Sequence, residues 1–271
     1  MNPAVPTWEG VAASAALIAL TIAVAWRGRL GLARDIAAAA VRAALQLAAV
    51  GALLLLVFRH TGLAGAVGWL ALMVLIAGQV AARRTPALPK ALPTATLAIT
   101  IGTAATMGTL LALGVIATQA RVVIPVGGMV VSGAMQATAL ALTRLHDEVR
   151  TARPAIEARL SLGLAAPDAF APHQRTIVRT ALIPALDSTK TVGVISLPGA
   201  MTGLILAGVD PFTAIRYQIV VMYMLLAAAA LAALIAVRLS ERALFDDAHR
   251  LRPLEGAERA GAAISFRVDR N

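Results

Sequence analysis

Residues 157–184 read EARLSLGLAAPDAFAPHQRTIVRTALIP, and this stretch is the one long amphipathic, charged segment of an otherwise apolar chain. Gly163 permits a bend after a first short helix, and Pro167 suits the first turn of a second helix. A short helix, a glycine break and another helix in the loop of a membrane protein suggest a docking element for a partner. A surface helix that only connects two membrane spans is the alternative that the periodicity leaves open.

The composition on both sides of this stretch is that of an integral membrane protein. The 271 residues are 59% hydrophobic and 14% charged, with a mean hydropathy of +0.80, whereas soluble proteins are roughly 45–50% apolar. The sequence contains no cysteine, which excludes disulfides and thiolate metal sites.

Seven apolar runs predict an all-α, polytopic helical bundle with about seven transmembrane helices. The runs cover residues 11–26, 36–58, 63–82, 93–118, 122–142, 191–208 and 212–237. Most of them approach the roughly 20 residues that cross a bilayer, although the first is short. The predicted division is transmembrane helices 1–5 within residues 1–142, a cytosolic coupling loop at 143–190, helices 6–7 within 191–240, and a cytosolic tail at 241–271 that ends in disorder. Pro198-Gly199 predicts a kink or break in the sixth run.

The basic residues indicate orientation rather than nucleic-acid binding. The net charge is +10, but the Lys and Arg residues lie between apolar runs and in the tail, not in a stripe interleaved with aromatics. If the N-terminus is outside, all 24 of them except Arg59, Arg121 and Arg216 fall on the cytosolic side. This bias predicts a multi-pass membrane protein with the loop at 143–190 and the C-terminus in the cytosol.

The sequence does not contain the motifs of an ATPase or a metalloenzyme. There is no Walker-type phosphate loop and no HExxH pattern, and the four histidines are scattered. We therefore expect neither an enzyme nor a resident cofactor. Uphill transport by this chain would need energy from another subunit or from an ion gradient.

Within the opening stretch, Glu157-Ala158 with Gly163, followed by Pro167 and Phe170, resembles the EAA-x-x-x-G loop of ABC-transporter permeases. In that family the loop is a short helix that inserts into a cleft on the ATP-binding subunit. The resemblance implies that these five residues couple the chain to a cytosolic ATPase. An arginine replaces the family's usual second alanine.

A wider resemblance extends from about residue 30 to residue 240. The residues that carry it are Arg42, Gln46-Leu47, Ile124-Pro125, Gly128-Met129, Met135, Ile156-Glu157-Ala158, Leu162-Gly163, Ile183-Pro184, 187–193, 196–203, 205–208, Asp210-Pro211 and Arg216-Tyr217-Gln218. In these positions the chain resembles the FetB-type permeases, the partners of a FetA-type ATP-binding subunit. Bacterial members are linked to iron export, and plant relatives to aluminium tolerance, with a nucleotide sugar proposed as cargo.

The resemblance implies a permease homodimer in the lipid bilayer of a bacterial cytoplasmic membrane, which exports a metal ion, iron, with ATP hydrolysed by a separate subunit. An organic cargo, or a secondary carrier or membrane scaffold without an ATPase, is the alternative. The candidate substrate path consists of Met129, Met135, Gln136, Pro198, Gly199, Met201, Tyr217 and Gln218. Methionine thioethers prefer soft metals and also serve as packing filler, so no metal ligands are assigned. Asp210 before Pro211 favours a helix cap over a cation site.

Overall fold

The computed structural model describes residues 8–60, 62–246 and 248–254, and this part of the chain is all-α. Its nine helices are α1 (Trp8–Arg27), α2 (Ala33–His60), α3 (Gly62–Ala82), α4 (Ala91–Ala112), α5 (Ala120–Thr151), α6 (Arg153–Ser161), α7 (Ala166–Thr191), α8 (Gly199–Leu206) and α9 (Pro211–Leu244). The predicted fold class is confirmed in this respect.

Six of the described helices are long and apolar enough to cross a membrane: α1, α2, α3, α4, α5 and α9. The sequence predicted about seven. The difference lies in the sixth apolar run, residues 191–208, where α7 ends at Thr191 and a bridge pairs Val192 with Ser196. The following α8 has only eight residues. At 1.5 Å per residue it is about 12 Å long, too short to cross a core of about 30 Å.

The expected break at Pro198-Gly199 is present. Pro198 has an extended backbone and precedes the first residue of α8, Gly199. The proline fixes φ and provides no N–H, so it suits the position before a new helix but not the interior of one. A sequence that is apolar enough for a span is thus divided into a turn and a two-turn helix, which packs on α9.

The core of the bundle is formed by α3, α4, α5 and α9, with α7 packed on α5 and α9. Small residues form the buried face of α9: Ala228, Ala229, Ala232, Ala233, Ala236 and Ser240. Gly102 of α4 lies against this face, where a Cβ built on it would be 3.1 Å from the Ala232 Cβ and 3.2 Å from the Ala228 carbonyl oxygen. Small side chains at such crossings let helix backbones approach closely, which drives helix association in lipid.

The hairpin of α1 and α2 packs much less than the rest. α2 contacts α3, but almost no residue of α1 or α2 is buried within the chain. Arg42 and Gln46 are exposed on α2 and therefore do not face the interior of this subunit. Snorkelling of Arg42 toward a membrane surface is consistent with this placement.

Two helices are longer than a membrane is thick. α5 has 32 residues and α9 has 34, which makes them about 48 and 51 Å long against a hydrocarbon core of about 30 Å. The C-terminal ends of α5 and α9 pack with α6 and the first half of α7 around buried Leu145, Ile156, Phe170 and Leu244. The region predicted as a cytosolic coupling loop is therefore folded into helices, and its apolar interior is continuous with the core of the bundle.

The close approach at Gly102 yields a stability prediction. Replacing Gly102 by leucine should destabilise the bundle by about 1–3 kcal/mol, because the added side chain meets backbone and a short alanine that cannot move aside. Gly108→Leu on the same helix is the matched control, since no atom lies within 4 Å of a Cβ built there. Both variants gain similar helix propensity. Thermal unfolding in detergent should show a lower Tm only for Gly102→Leu; equal Tm values would contradict the packing described.

Candidate translocation cavity and coupling surface

A cavity of about 1070 Å³ lies between α2, α3, α5, α7 and α9. Each wall is a helical stripe. On α7 the cavity is lined by Ala181, Pro184, Ala185, Ser188 and Thr189, and on α9 by Met222, Leu225, Leu226 and Ala229. These spacings of three and four residues mark one face of each helix. Trp69 and Met73 of α3 complete the apolar side.

The longest wall belongs to α5. Pro125, Gly128, Met129, Ser132, Gly133, Met135, Gln136, Ala137 and Leu140 line the cavity from this helix, whereas Ala134, Ala139 and Leu142 on other faces are buried against neighbouring helices. Gln136 donates from Nε2 to the Ser132 hydroxyl at 3.3 Å. Pro125 and Pro184 contribute no helical N–H, which leaves helix carbonyls four residues earlier without their usual partner.

The described lining is mostly apolar with five polar side chains: Arg84, Ser132, Gln136, Ser188 and Thr189. Four methionines also line it: Met73, Met129, Met135 and Met222. None of the described lining residues is Asp, Glu or His. Across residues 8–60, 62–246 and 248–254, His, Asp and Glu nowhere gather in a group of three that could hold a metal ion. The arrangement suits a bulky amphipathic guest, or a cation that keeps ligands of its own.

The candidate path residues are divided by the structure. Met129, Met135 and Gln136 line the cavity together, but Pro198, Gly199, Met201, Tyr217 and Gln218 do not. The latter five lie at or near α8 and the start of α9, and Gln218 is buried with no hydrogen bond to Oε1 within the described residues. Asp210 accepts a hydrogen bond from the Thr213 N–H at 3.0 Å, which confirms the helix cap.

Several cavity residues were not singled out from the sequence, notably Trp69, Met73, Ser188 and Thr189. One cavity wall could have been predicted from the sequence. On α5, residues at helical spacing form a stripe that ends in two polar residues: 125, 128, 129, 132 and 136. No comparable signal identified the α3 and α7 walls, since their membership depends on how the helices pack.

The predicted coupling residues form an exposed turn with one buried support. Gly163, at φ +89°, ends α6 in the left-handed region that favours glycine, and Pro167 stands in the first turn of α7. Glu157, Ala158, Gly163 and Pro167 are all exposed. Phe170 is fully buried and therefore lies beneath the surface that a partner could touch.

The exposed turn presents an apolar residue that was not a candidate from the sequence. Leu162 is 80% exposed, directly before Gly163. An isolated exposed leucine is ordinary, but one at the tip of a short helix offers an anchor for a groove on another protein. We call Ala158, Leu162 and Gly163 the α6 tip.

Three contacts in and around α7 support the α6 tip. Phe170 contacts the Phe245 ring edge-on with centroids 6.0 Å apart. His173 of α7 and Glu148 of α5 pair at 2.7 Å. Arg159 donates from a terminal nitrogen to the Asp168 carbonyl at 3.2 Å, across the turn between α6 and α7.

These features define an all-α, multi-pass membrane protein with an internal cavity and a supported surface turn. The chain belongs to the family described as "Uncharacterised protein family (UPF0014)", whose model matches residues 8–245. No solved structure matches the chain.

Three relatives cover nearly the whole length. The chain is 38% identical to the UPF0014 membrane protein STAR2 of Oryza sativa subsp. japonica, over 88% of this chain and 84% of the relative. It is 36% identical to "Probable iron export permease protein FetB" of Escherichia coli, over 93% and 97%. It is 34% identical to Protein ALUMINUM SENSITIVE 3 of Arabidopsis thaliana, over 89% and 88%.

Because the chain has no cysteine, introduced thiols can test whether the cavity is open to solvent. We expect Gln136→Cys to react with a small charged thiol reagent in membranes much faster than Ala141→Cys, since Gln136 lines the cavity and Ala141 is fully buried on the same helix. Labelling rates measured by mass shift check this. Equally slow labelling of both positions would show that the α5 face is closed.

Proposed function

We propose that this chain is the membrane-spanning subunit of an ABC exporter in a bacterial cytoplasmic membrane. In this proposal two copies pair with each other and with two cytosolic ATP-binding subunits of the FetA type. The N-terminus lies outside and the C-terminus in the cytosol, and α7 and α8 together make the seventh crossing that this orientation requires, between the end of α5 and the start of α9. The α6 tip inserts into the ATP-binding subunit, and the cavity between α5, α7 and α9 holds the cargo.

The observation that carries the proposal is the position of α7. This helix begins beside the α6 tip at Ala166 and lines the cavity from Ala181 to Thr189. About 25 Å of continuous helix therefore separates Pro167 from Pro184. A displacement of the surface turn is carried directly to the cavity wall, which is what a transporter driven by a separate ATPase requires. The folded support beneath the turn favours this function over a passive connecting loop.

Iron is the proposed cargo, and its support is the relative from Escherichia coli. That protein is named a probable iron export permease and aligns over 97% of its length. A shared family over this length favours a shared architecture and mode of action. The cavity volume accommodates a hydrated or chelated iron ion with room to spare.

An organic cargo is the second candidate, and the chemistry of the cavity favours it. Iron usually takes oxygen or imidazole ligands, while the described lining provides thioethers, hydroxyls, one amide and one guanidinium. A volume of about 1070 Å³ lies slightly above the roughly 300–1,000 Å³ usual for small-molecule pockets. The single charged group, Arg84, would attract an anionic part of such a cargo.

The partner is tested by substituting the α6 tip. Leu162→Asp should weaken co-purification of the ATP-binding subunit by roughly 30-fold or more, because a carboxylate would replace an apolar anchor in the partner's groove. Leu113→Asp is the matched control: Leu113 is 71% exposed on the loop after α4, which is predicted to lie outside. If the Leu162→Asp variant binds the ATP-binding subunit as well as the unsubstituted chain does, the proposed coupling surface is wrong. If no ATP-binding subunit associates with the unsubstituted chain, a secondary carrier or scaffold is favoured instead.

The cargo is tested by metal content. In a strain that lacks the protein, intracellular iron should rise, while manganese and copper stay unchanged, because export has been lost. The unsubstituted chain should restore the iron level and Leu162→Asp should not, as measured by elemental analysis of washed cells. Unchanged iron in the deletion strain would contradict iron export and favour the organic cargo.

A further inference from the structure

A short segment after α9 folds back onto the coupling surface. We call residues 245–254 the C-terminal hook; Asp247 lies outside the described residues. Phe245 and Leu251 pair as an antiparallel bridge, and the Arg252 N–H donates to the Leu244 carbonyl at 2.8 Å. Phe245, Leu251 and Leu254 are buried. The sequence had predicted only a cytosolic tail for this region, and its predicted disordered end lies outside the described residues.

The hook is internally braced by Asp246. Its carboxylate accepts hydrogen bonds from the backbone N–H of Arg250 at 2.8 Å and of Ala248 at 3.0 Å. The Arg250 Nε donates to it as well, at 2.8 Å. The Arg250 N–H holds the pKa of Asp246 below its ordinary value, with further support from the Arg250 side chain. The carboxylate is therefore charged at neutral pH and keeps the turn closed.

Arg153 joins the hook to α6. From the first residue of α6, its guanidinium donates to the Leu251 carbonyl at 3.1 Å and to the Arg252 carbonyl at 3.4 Å. Its Nε donates to Glu157 at 2.8 Å, which fixes the side chain in this direction. A planar guanidinium can serve all three acceptors at once, which a lysine ammonium on a flexible stem does less well. Arg153 thus connects parts of the chain nearly 100 residues apart in sequence.

The hook also joins α7. The Ala166 N–H, at the first turn of α7, donates to the His249 Nδ1 at 3.4 Å. The residue before α7, Ala165, offers no side-chain cap, and the first N–H groups of a helix otherwise lack partners. Phe245 adds its edge-on contact with Phe170 on the next turn of α7. The same hook therefore anchors both sides of the α6 tip.

We propose that the C-terminal hook is a clamp that makes the α6 tip and α9 move as one body, with Arg153 as its positioning residue. α9 begins its cavity stripe at Met222 and ends at Leu244, directly before the hook. Motion imposed on the α6 tip then reaches the cavity through α9 as well as through α7. This transmission rests on the proposed function, whereas the clamp itself does not.

The clamp is tested by hydrogen exchange on the full-length chain in detergent. In Arg153→Gln, amide exchange of residues 154–170 should rise by about tenfold, since two hydrogen bonds to the hook are lost. Arg153→Lys should show a smaller rise and serves if the glutamine variant folds poorly. Arg175→Gln is the control, because the Arg175 side chain is exposed and makes no hydrogen bond or ion pair among the described residues. Unchanged exchange in both Arg153 variants would overturn the clamp.

Transmission is tested in the complex with the ATP-binding subunit, using Gln136→Cys as the reporter in the cavity. ATP with vanadate should change its thiol labelling rate severalfold. When Arg153→Gln is added, most of this change should disappear while the subunits stay associated and ATP is still hydrolysed. A role limited to stability would not separate these two readouts.

A cross-link tests the clamp in the opposite direction, because it fixes the contact between the hook and α7 instead of weakening the hook. If the hook stays attached throughout the cycle, tying Ala166→Cys to His249→Cys with a short thiol cross-linker should leave the ATP-dependent labelling intact. Loss of that response after cross-linking would overturn movement as one body. An unsubstituted chain that binds no ATP-binding subunit would remove the proposed function and the transmission with it, while hydrogen exchange would still decide the clamp.

Discussion

The fold depends on how closely α9 approaches α4 and α5. Within lipid there is little hydrophobic gain from bringing helices together, so contact area and close packing must hold them. The alanine face of α9 and the bare backbone of Gly102 allow this proximity, and α9 becomes the shared element of the core. The faces of α5 and α9 that are not used for this packing are free to line the cavity. The position of the cavity is therefore a consequence of where the small residues lie.

The same two helices extend beyond the packed region and position the proposed coupling surface. The C-terminal ends of α5 and α9 pack against α6 and α7. Buried Ile156 and Phe170 lie in this contact, and His173 pairs with Glu148 across it. A flexible loop would bend when a partner displaced it and would not transmit the displacement. A turn fixed on rigid helices passes it on, because packed interiors deform little. The surface turn and the cavity wall are accordingly joined by helices rather than by linkers.

The sequence predicted those features that depend on local chemistry. Apolar length identified the long spans, Gly163 and Pro167 identified the bend between α6 and α7, and Asp210 was recognised as a cap. It could not predict that residues 191–208, apolar enough for a span, break into a turn and α8, since length and hydropathy do not report on the Val192–Ser196 pairing. The cavity walls from α3 and α7 and the burial of Phe170 depend on tertiary packing. The sequence did not predict the C-terminal hook, because the contacts of the hook with Arg153 and Ala166 join distant parts of the chain.

The electrostatics of the cavity limit how any metal could occupy it. A cation transferred from water into an apolar space loses hydration free energy that only bound ligands can restore. Among the described lining residues the one charged side chain is the cation Arg84, and Gln136 offers only one neutral amide oxygen, since its Nε2 donates to Ser132. The thioethers of the four methionines are weak, soft acceptors. An iron ion in this cavity would therefore keep its own ligands, as water or as a chelating molecule, and the volume of the cavity is consistent with that larger object. The two candidate cargoes are therefore similar in what the cavity must hold. One is an iron ion with its own ligands and the other is an organic molecule, and both are bulky.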